Sequence, residues 1–161
     1  MPQAPAEAPA VNRNLVQPFM TAVKEVFAKM TGVEITVERP FLKTVTGCSY
    51  EVCGIIGFSG QISGSVVVSF SDAAAINLVE AFAGSRMDRT DPDFADAIGE
   101  LANMIAGSAK QRLGGAASIS VPSVVIGKGY SIASMRTIPC LVIPCKSAKG
   151  DFAIEVCIKQ N

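Results

Sequence analysis

The chain has 161 residues, 49% of them hydrophobic, and its 14 basic side chains balance its 14 acidic ones. That length can bury one sizeable core and requires no second domain. No Lys/Arg cluster is dense enough to neutralise a nucleic-acid backbone or an anionic membrane surface, so no nucleic-acid partner is expected. With no histidine in the sequence, Ser-His and Cys-His nucleophilic sites and most zinc enzymes drop out, leaving carboxylates, amides, hydroxyls and amines to do any chemistry.

Residues 1–10, "MPQAPAEAPA", are biased to Pro and Ala, lack periodicity, and contain neither a basic n-region nor an apolar h-region. They are expected to be a disordered tail before a single domain at 11–161. No apolar run reaches the roughly 18 to 20 residues of a membrane helix, so a soluble, cytoplasmic protein is expected, with no membrane partner. Over 11–31, Val11, Leu15, Phe19, Val23, Val26, Phe27 and Met30 recur at helical intervals up to a glycine stop at Gly32. Pro18 interrupts that run, which favours a late or bent helix start. "VEITVE" at 33–38 alternates like a half-buried strand and ends before Pro40.

"SYEVCGIIGFSG" and "ISGSVVVSFS" flank Gly60 as an antiparallel pair. Asp72 is the expected cap of a helix through Ala83, with Ile76, Val79 and Phe82 inward and Gly84 as its stop. A second long helix follows at 93–115, with Asp91 as cap, Pro92 at the first position and Gly114 or Gly115 as the left-handed end. "SVVIG", "PCLVIPC" and "DFAIEVCIK" then read as strands. The five cysteines, Cys48, Cys53, Cys140, Cys145 and Cys157, are odd in number and form no CxxC pair. They are expected to be reduced, buried thiols rather than a metal site, because residues five apart on a strand face opposite ways.

"QPFMTAVKEVFAKMTGVEITVERP" and "ELANMIAGSAKQRLGGAASISVPS" share the order helix, glycine stop, strand, proline. The expected fold class is therefore α/β (α+β): long helices packed on a mainly antiparallel sheet, built from pseudo-duplicated helix-strand units. Aligning Gly32 with Gly115 sets Gln17 opposite Glu100 and Met20 opposite Asn103. Only the second unit carries a polar pair.

In that second helix, Ile98, Leu101, Ala102, Ile105, Ala109 and Leu113 form one apolar face. Asp96, Glu100, Asn103, Gly107 and Lys110 form a polar stripe on the other. A solvated helix face would account for a bare E-x-x-N spacing. Asparagine and glycine are nevertheless poor mid-helix choices, glycine by about 1 kcal/mol relative to alanine. Gly107 would let another backbone approach, either a partner's or a neighbouring element's.

"DFADAIGELANMIAGSAKQRL", with its D-x-x-x-E-x-x-N arrangement, resembles the active-site helix of the CheC/CheX/FliY family of chemotaxis phosphatases. "FMTAVKEVFAKMTG", "GFSGQISGSVVVSF", "SVPSVVIG" and "GDFAIEV" extend the resemblance over nearly everything after the tail. The single motif copy makes the chain most similar to the CheX branch, and Pro122 is the candidate for the family's downstream proline, which the family pattern sets a few residues further on. The resemblance implies dephosphorylation of a phosphorylated CheY-like response regulator. Glu100 would pair with a lysine of the regulator, and Asn103 would orient the attacking water. Gly107 and Lys110 are candidate contacts to the regulator, with Asp96 kept to a structural role near the helix start. No metal site or cofactor of the chain's own is expected, since Mg²⁺ would be bound by the phosphorylated partner, and a homodimer is allowed. A non-catalytic regulator-binding or scaffold module of the same fold is the alternative, and an unrelated small-molecule-binding α/β domain is a third.

Overall fold

The computed structural model describes residues 13–44, 47–114, 117–128 and 138–161, so the expected tail, Val11 and Gly115 lie outside the described residues. The helices are α1 (Arg13–Thr31), α2 (Asp72–Ala83) and α3 (Pro92–Arg112). The strands are β1 (Thr36–Val37), β2 (Phe41–Leu42), β3 (Val52–Gly60), β4 (Ile62–Phe70), β5 (Ala117–Ile119), β6 (Ser123–Ile126), β7 (Leu141–Lys146) and β8 (Phe152–Gln160). All eight join one sheet, and every pairing is antiparallel. Among the described residues no helix is long and apolar enough to cross a membrane.

The sheet is built around a two-fold relation between the halves of the chain. Helix, two short strands and a hairpin occur twice: α1, β1, β2, β3–β4, then α3, β5, β6, β7–β8. The long strands β4 and β8 pair at the centre, Val66 opposite Val156, with β3 and β7 outside them. The short strands are exchanged: β1 and β2 pair with β7, while β5 and β6 pair with β3. Alternation along β4 and β8 sends Val66, Val68, Phe70, Phe152, Ile154 and Val156 into the core shared with the helices. Phe152 is the hinge of that packing, with ring centroids 5.1 Å from Phe27 of α1 and 5.2 Å from Phe70.

Several expectations need correction. Helix α1 runs through Pro18 from Arg13, so it does not start late. The proline falls in the second turn and sacrifices one intrahelical bond. Val16, Phe19 and Val23 keep one buried face continuous across it. The 33–38 strand shrinks to Thr36–Val37 because the edge of β7 is shared between β1 and β2. Its alternation nevertheless marks burial correctly at Ile35. The cap of α2 is Ser71, whose Oγ accepts from Ala74 N–H at 3.2 Å. Asp72 is the first helical residue and pairs with Arg89 at 2.8 Å. Val79 is buried as expected, but Leu78 joins it as fully buried, while Ile76 and Phe82 are only partly buried. Most directly, Cys140 and Cys157 form a disulfide rather than remaining thiols. The β7–β8 register, Leu141 opposite Val156, brings them face to face across 17 residues of sequence.

Candidate functional site

Helix α3 is fixed at both ends by the residues its sequence advertises. Asp91 accepts from Asp93 N–H at 2.9 Å, and Pro92 occupies the first turn, where its missing N–H costs nothing. At the other end, Leu113 N–H bonds back to Ala109 and Gly114 turns away with φ 86°. Phe94, Ile98, Leu101, Ala102, Ile105 and Ala109 bury one face. A Cβ at Gly54 of β3 would lie 2.7 Å from Ala102 Cβ, so glycine is what lets the helix sit this close to the sheet.

The opposite face carries the polar stripe. Asp96 and Glu100 are exposed, and Asn103, Gly107 and Lys110 are half-buried. Glu100 and Asn103, one turn apart, leave the same side of the helix. Among the described residues, neither side chain is engaged by a hydrogen bond or an ion pair. A Cβ added at Gly107 would meet nothing within 4 Å, so packing inside the domain does not require that glycine.

The stripe has two walls. Met104 and Ser108 border a groove of about 680 Å³ shared with Val26, Lys29 and Met30 of α1, and Asn103 and Gly107 line it too. The Arg112–Glu25 ion pair ties α3 to α1 there. On the other side, a Cβ at Gly99 would lie 3.2 Å from Pro122 Cγ, placing the β5–β6 loop against the helix. Asn103 follows Gly99 by one helical turn, so Pro122 abuts the row from which the amide projects. Lys110 shares the stripe without lining the groove. Sequence reasoning missed the α1 wall and the Gly99–Pro122 contact; a glycine at 99, inside a helix with no local need for one, was their only trace.

On α1, Gln17 is exposed and bonds Thr21 at 3.5 Å, while Met20 packs partly against the core. The first unit therefore presents no carboxylate-amide pair. Among the described residues, no three His, Cys, Asp or Glu side chains cluster as metal ligands. The chemistry available on α3 is a carboxylate able to pair with a cation and an amide that both donates and accepts hydrogen bonds without titrating.

A family model described as chemotaxis phosphatase CheX matches residues 52–146, which span most of the sheet and all of α3. The CheY-P phosphatase CheX of Thermotoga maritima is 29% identical over 155 residues, covering 94% of this chain and 99% of that protein. The crystal structure of CheX from Desulfovibrio desulfuricans superposes with a TM-score of 0.82 at 30% identity, covering 91% of this chain and 99% of that one. A CheX from Borrelia burgdorferi, solved in complex with CheY, BeF3 and Mg²⁺, shares the fold with a TM-score of 0.75 at 22% identity, over 91% of this chain and 98% of that one. With its motif helix inside the matched segment and 91% of its length superposing on a CheX that is 30% identical, the chain belongs to the CheX family of chemotaxis phosphatases.

Proposed function

We infer that the protein accelerates hydrolysis of the aspartyl phosphate on a CheY-like response regulator, with α3 as the docking and catalytic element. One observation supports this reading: exposed Glu100 and half-buried Asn103 leave the same face of α3 one turn apart, and no described residue competes for either. An acyl phosphate is already activated, so the phosphatase needs only to place water in line with the phosphorus and hold it there. The Asn103 carbonyl oxygen can accept a hydrogen bond from that water, and its NH₂ can donate to a phosphoryl oxygen as charge shifts. Glu100, one turn earlier, pairs with a lysine of the regulator and fixes the approach of the helix. Gly107 leaves room for the regulator's backbone, and Lys110 faces its acidic surface.

The Mg²⁺ of the reaction is carried by the regulator in this reading, and the protein works in the cytoplasm, where its partner is made. A homodimer is a further proposal, tested by sedimentation equilibrium. The alternative is a module that binds the regulator without hydrolysing its phosphate. The decay of acetyl-phosphate-labelled CheY from the same organism separates the two. Faster loss of phosphate with catalytic amounts of this protein supports a phosphatase, and binding with unchanged decay supports the scaffold.

A further inference from the structure

Val121, in the β5–β6 connection where the chain paired with β3 takes one extra residue, is 84% exposed, more than either Phe41 at 53% or Met30 at 42%. The loop that carries it is held from behind. Ser120 N–H donates to the Gly57 carbonyl at 2.9 Å, and Ser120 Oγ accepts from Gly57 N–H at 2.9 Å. Pro122 packs toward Gly99 of α3, where even a methyl group would crowd it at 3.2 Å. The residue before a proline is confined to extended backbone, and a β-branched side chain is stiff about χ1. Val121 is thus an apolar group displayed in one orientation, with little freedom left to lose on contact. Its side chain is left exposed among the described residues, and Pro122 beside it packs toward Gly99, one turn before Asn103 on α3.

Resting on the phosphatase reading above, we propose that Val121 is an apolar anchor for the phosphorylated regulator, seating against its surface beside the phosphoaspartate and setting affinity rather than chemistry. The docking surface then runs from the β5–β6 connection across the stripe of α3. The hydrogen bonds of Glu100 and Asn103 supply direction, and Val121 supplies buried apolar area next to them.

The test measures binding and turnover separately. Val121→Asp, Val121→Ser and Val121→Ile are compared with the wild type, each checked by circular dichroism and thermal melting. Binding of CheY from the same organism, activated with BeF3⁻ and Mg²⁺, is titrated calorimetrically. Turnover is followed with the acetyl-phosphate-labelled protein. Val121→Asp and Val121→Ser are expected to raise Kd and KM about tenfold with kcat within twofold of wild type, while Val121→Ile keeps both constants. Unchanged Kd and KM in Val121→Asp overturn the proposal, as does a loss confined to kcat. If the wild type binds CheY without hydrolysing its phosphate, the phosphatase reading fails, while a weaker Kd in Val121→Asp still upholds the anchor.

Discussion

A methyl group at Gly107 would meet no atom within 4 Å, so Gly107→Ala should raise folding stability by the helix-propensity difference, about 1 kcal/mol. The same methyl would stand on the groove wall where the regulator's backbone is proposed to approach. The variant is therefore expected to melt higher and bind activated CheY more weakly, as thermal denaturation and titration on one preparation would reveal. A stabilised variant with full affinity would remove Gly107 from the interface. Glu100 should behave differently. Being exposed and unengaged in the free protein, it loses nothing in stability on change to alanine. The KM of Glu100→Ala for phosphorylated CheY should rise by roughly tenfold, as for a charge pair desolvated on docking. A fall in kcat at constant KM would instead place Glu100 in the chemical step.

At the scale of the element, the seat of α3 depends on one missing side chain. Gly54→Ala would force Cβ to within 2.7 Å of Ala102 Cβ and 3.3 Å of the Ile98 carbonyl. Overpacking of that kind costs about 1 to 3 kcal/mol and forces the helix away from the sheet. Denaturant unfolding should record the loss, and turnover should fall with it because Asn103 rides on the same helix. Much of α3 was legible beforehand: Asp91, Pro92 and Gly114 signal its ends through local chemistry, and the 4-3-4-3 spacing of the polar residues follows from helix geometry alone. What stayed hidden depends on contacts between distant segments. Nothing local to Gly99 or Pro122 says that they meet, and nothing in Cys140 or Cys157 reveals the register that opposes them. The capping role of Ser71 over Asp72 was a choice between adjacent good cappers, which sequence alone does not decide.

Across the whole molecule, the two helix-strand units differ at the matching helix positions: α3 carries Glu100 and Asn103, and α1 does not carry that pair. Gln17 and Met20 stand where the repeat would place the pair, and methionine offers neither the donor nor the carbonyl acceptor of an amide. The double variant Glu100→Ala, Asn103→Ala should therefore retain no measurable acceleration of CheY dephosphorylation while remaining folded. Residual activity that disappears on further changing Gln17 would reveal a second site on α1. The core shared by the halves also has a titration signature. Burial, reinforced by the charge of Glu38, pushes the Cys145 thiol up to about 12 from 9.0. The unfolded chain releases this proton from about pH 9 while the folded chain holds it, so stability is intact below pH 9 and falls as pH rises toward 12. By pH 10.5 the loss from this group is about 2 kcal/mol. Urea unfolding at pH 8 and 10.5 should show a smaller drop in Cys145→Val than in the wild type, whereas equal drops would assign the alkaline loss to other groups.

Single-turnover decay of phosphorylated CheY with saturating Asn103→Ala reads out whether the amide of Asn103 positions the attacking water. The substitution should leave the melting temperature equal or slightly higher, since alanine is the better helix former. It should also leave CheY binding within a fewfold of wild type. The rate at saturation is expected to drop by about 10² or more, as when a group that stabilises the transition state by hydrogen bonding is removed. A folded, CheY-binding Asn103→Ala protein that still accelerates decay at the wild-type rate would show that this amide does not position the water.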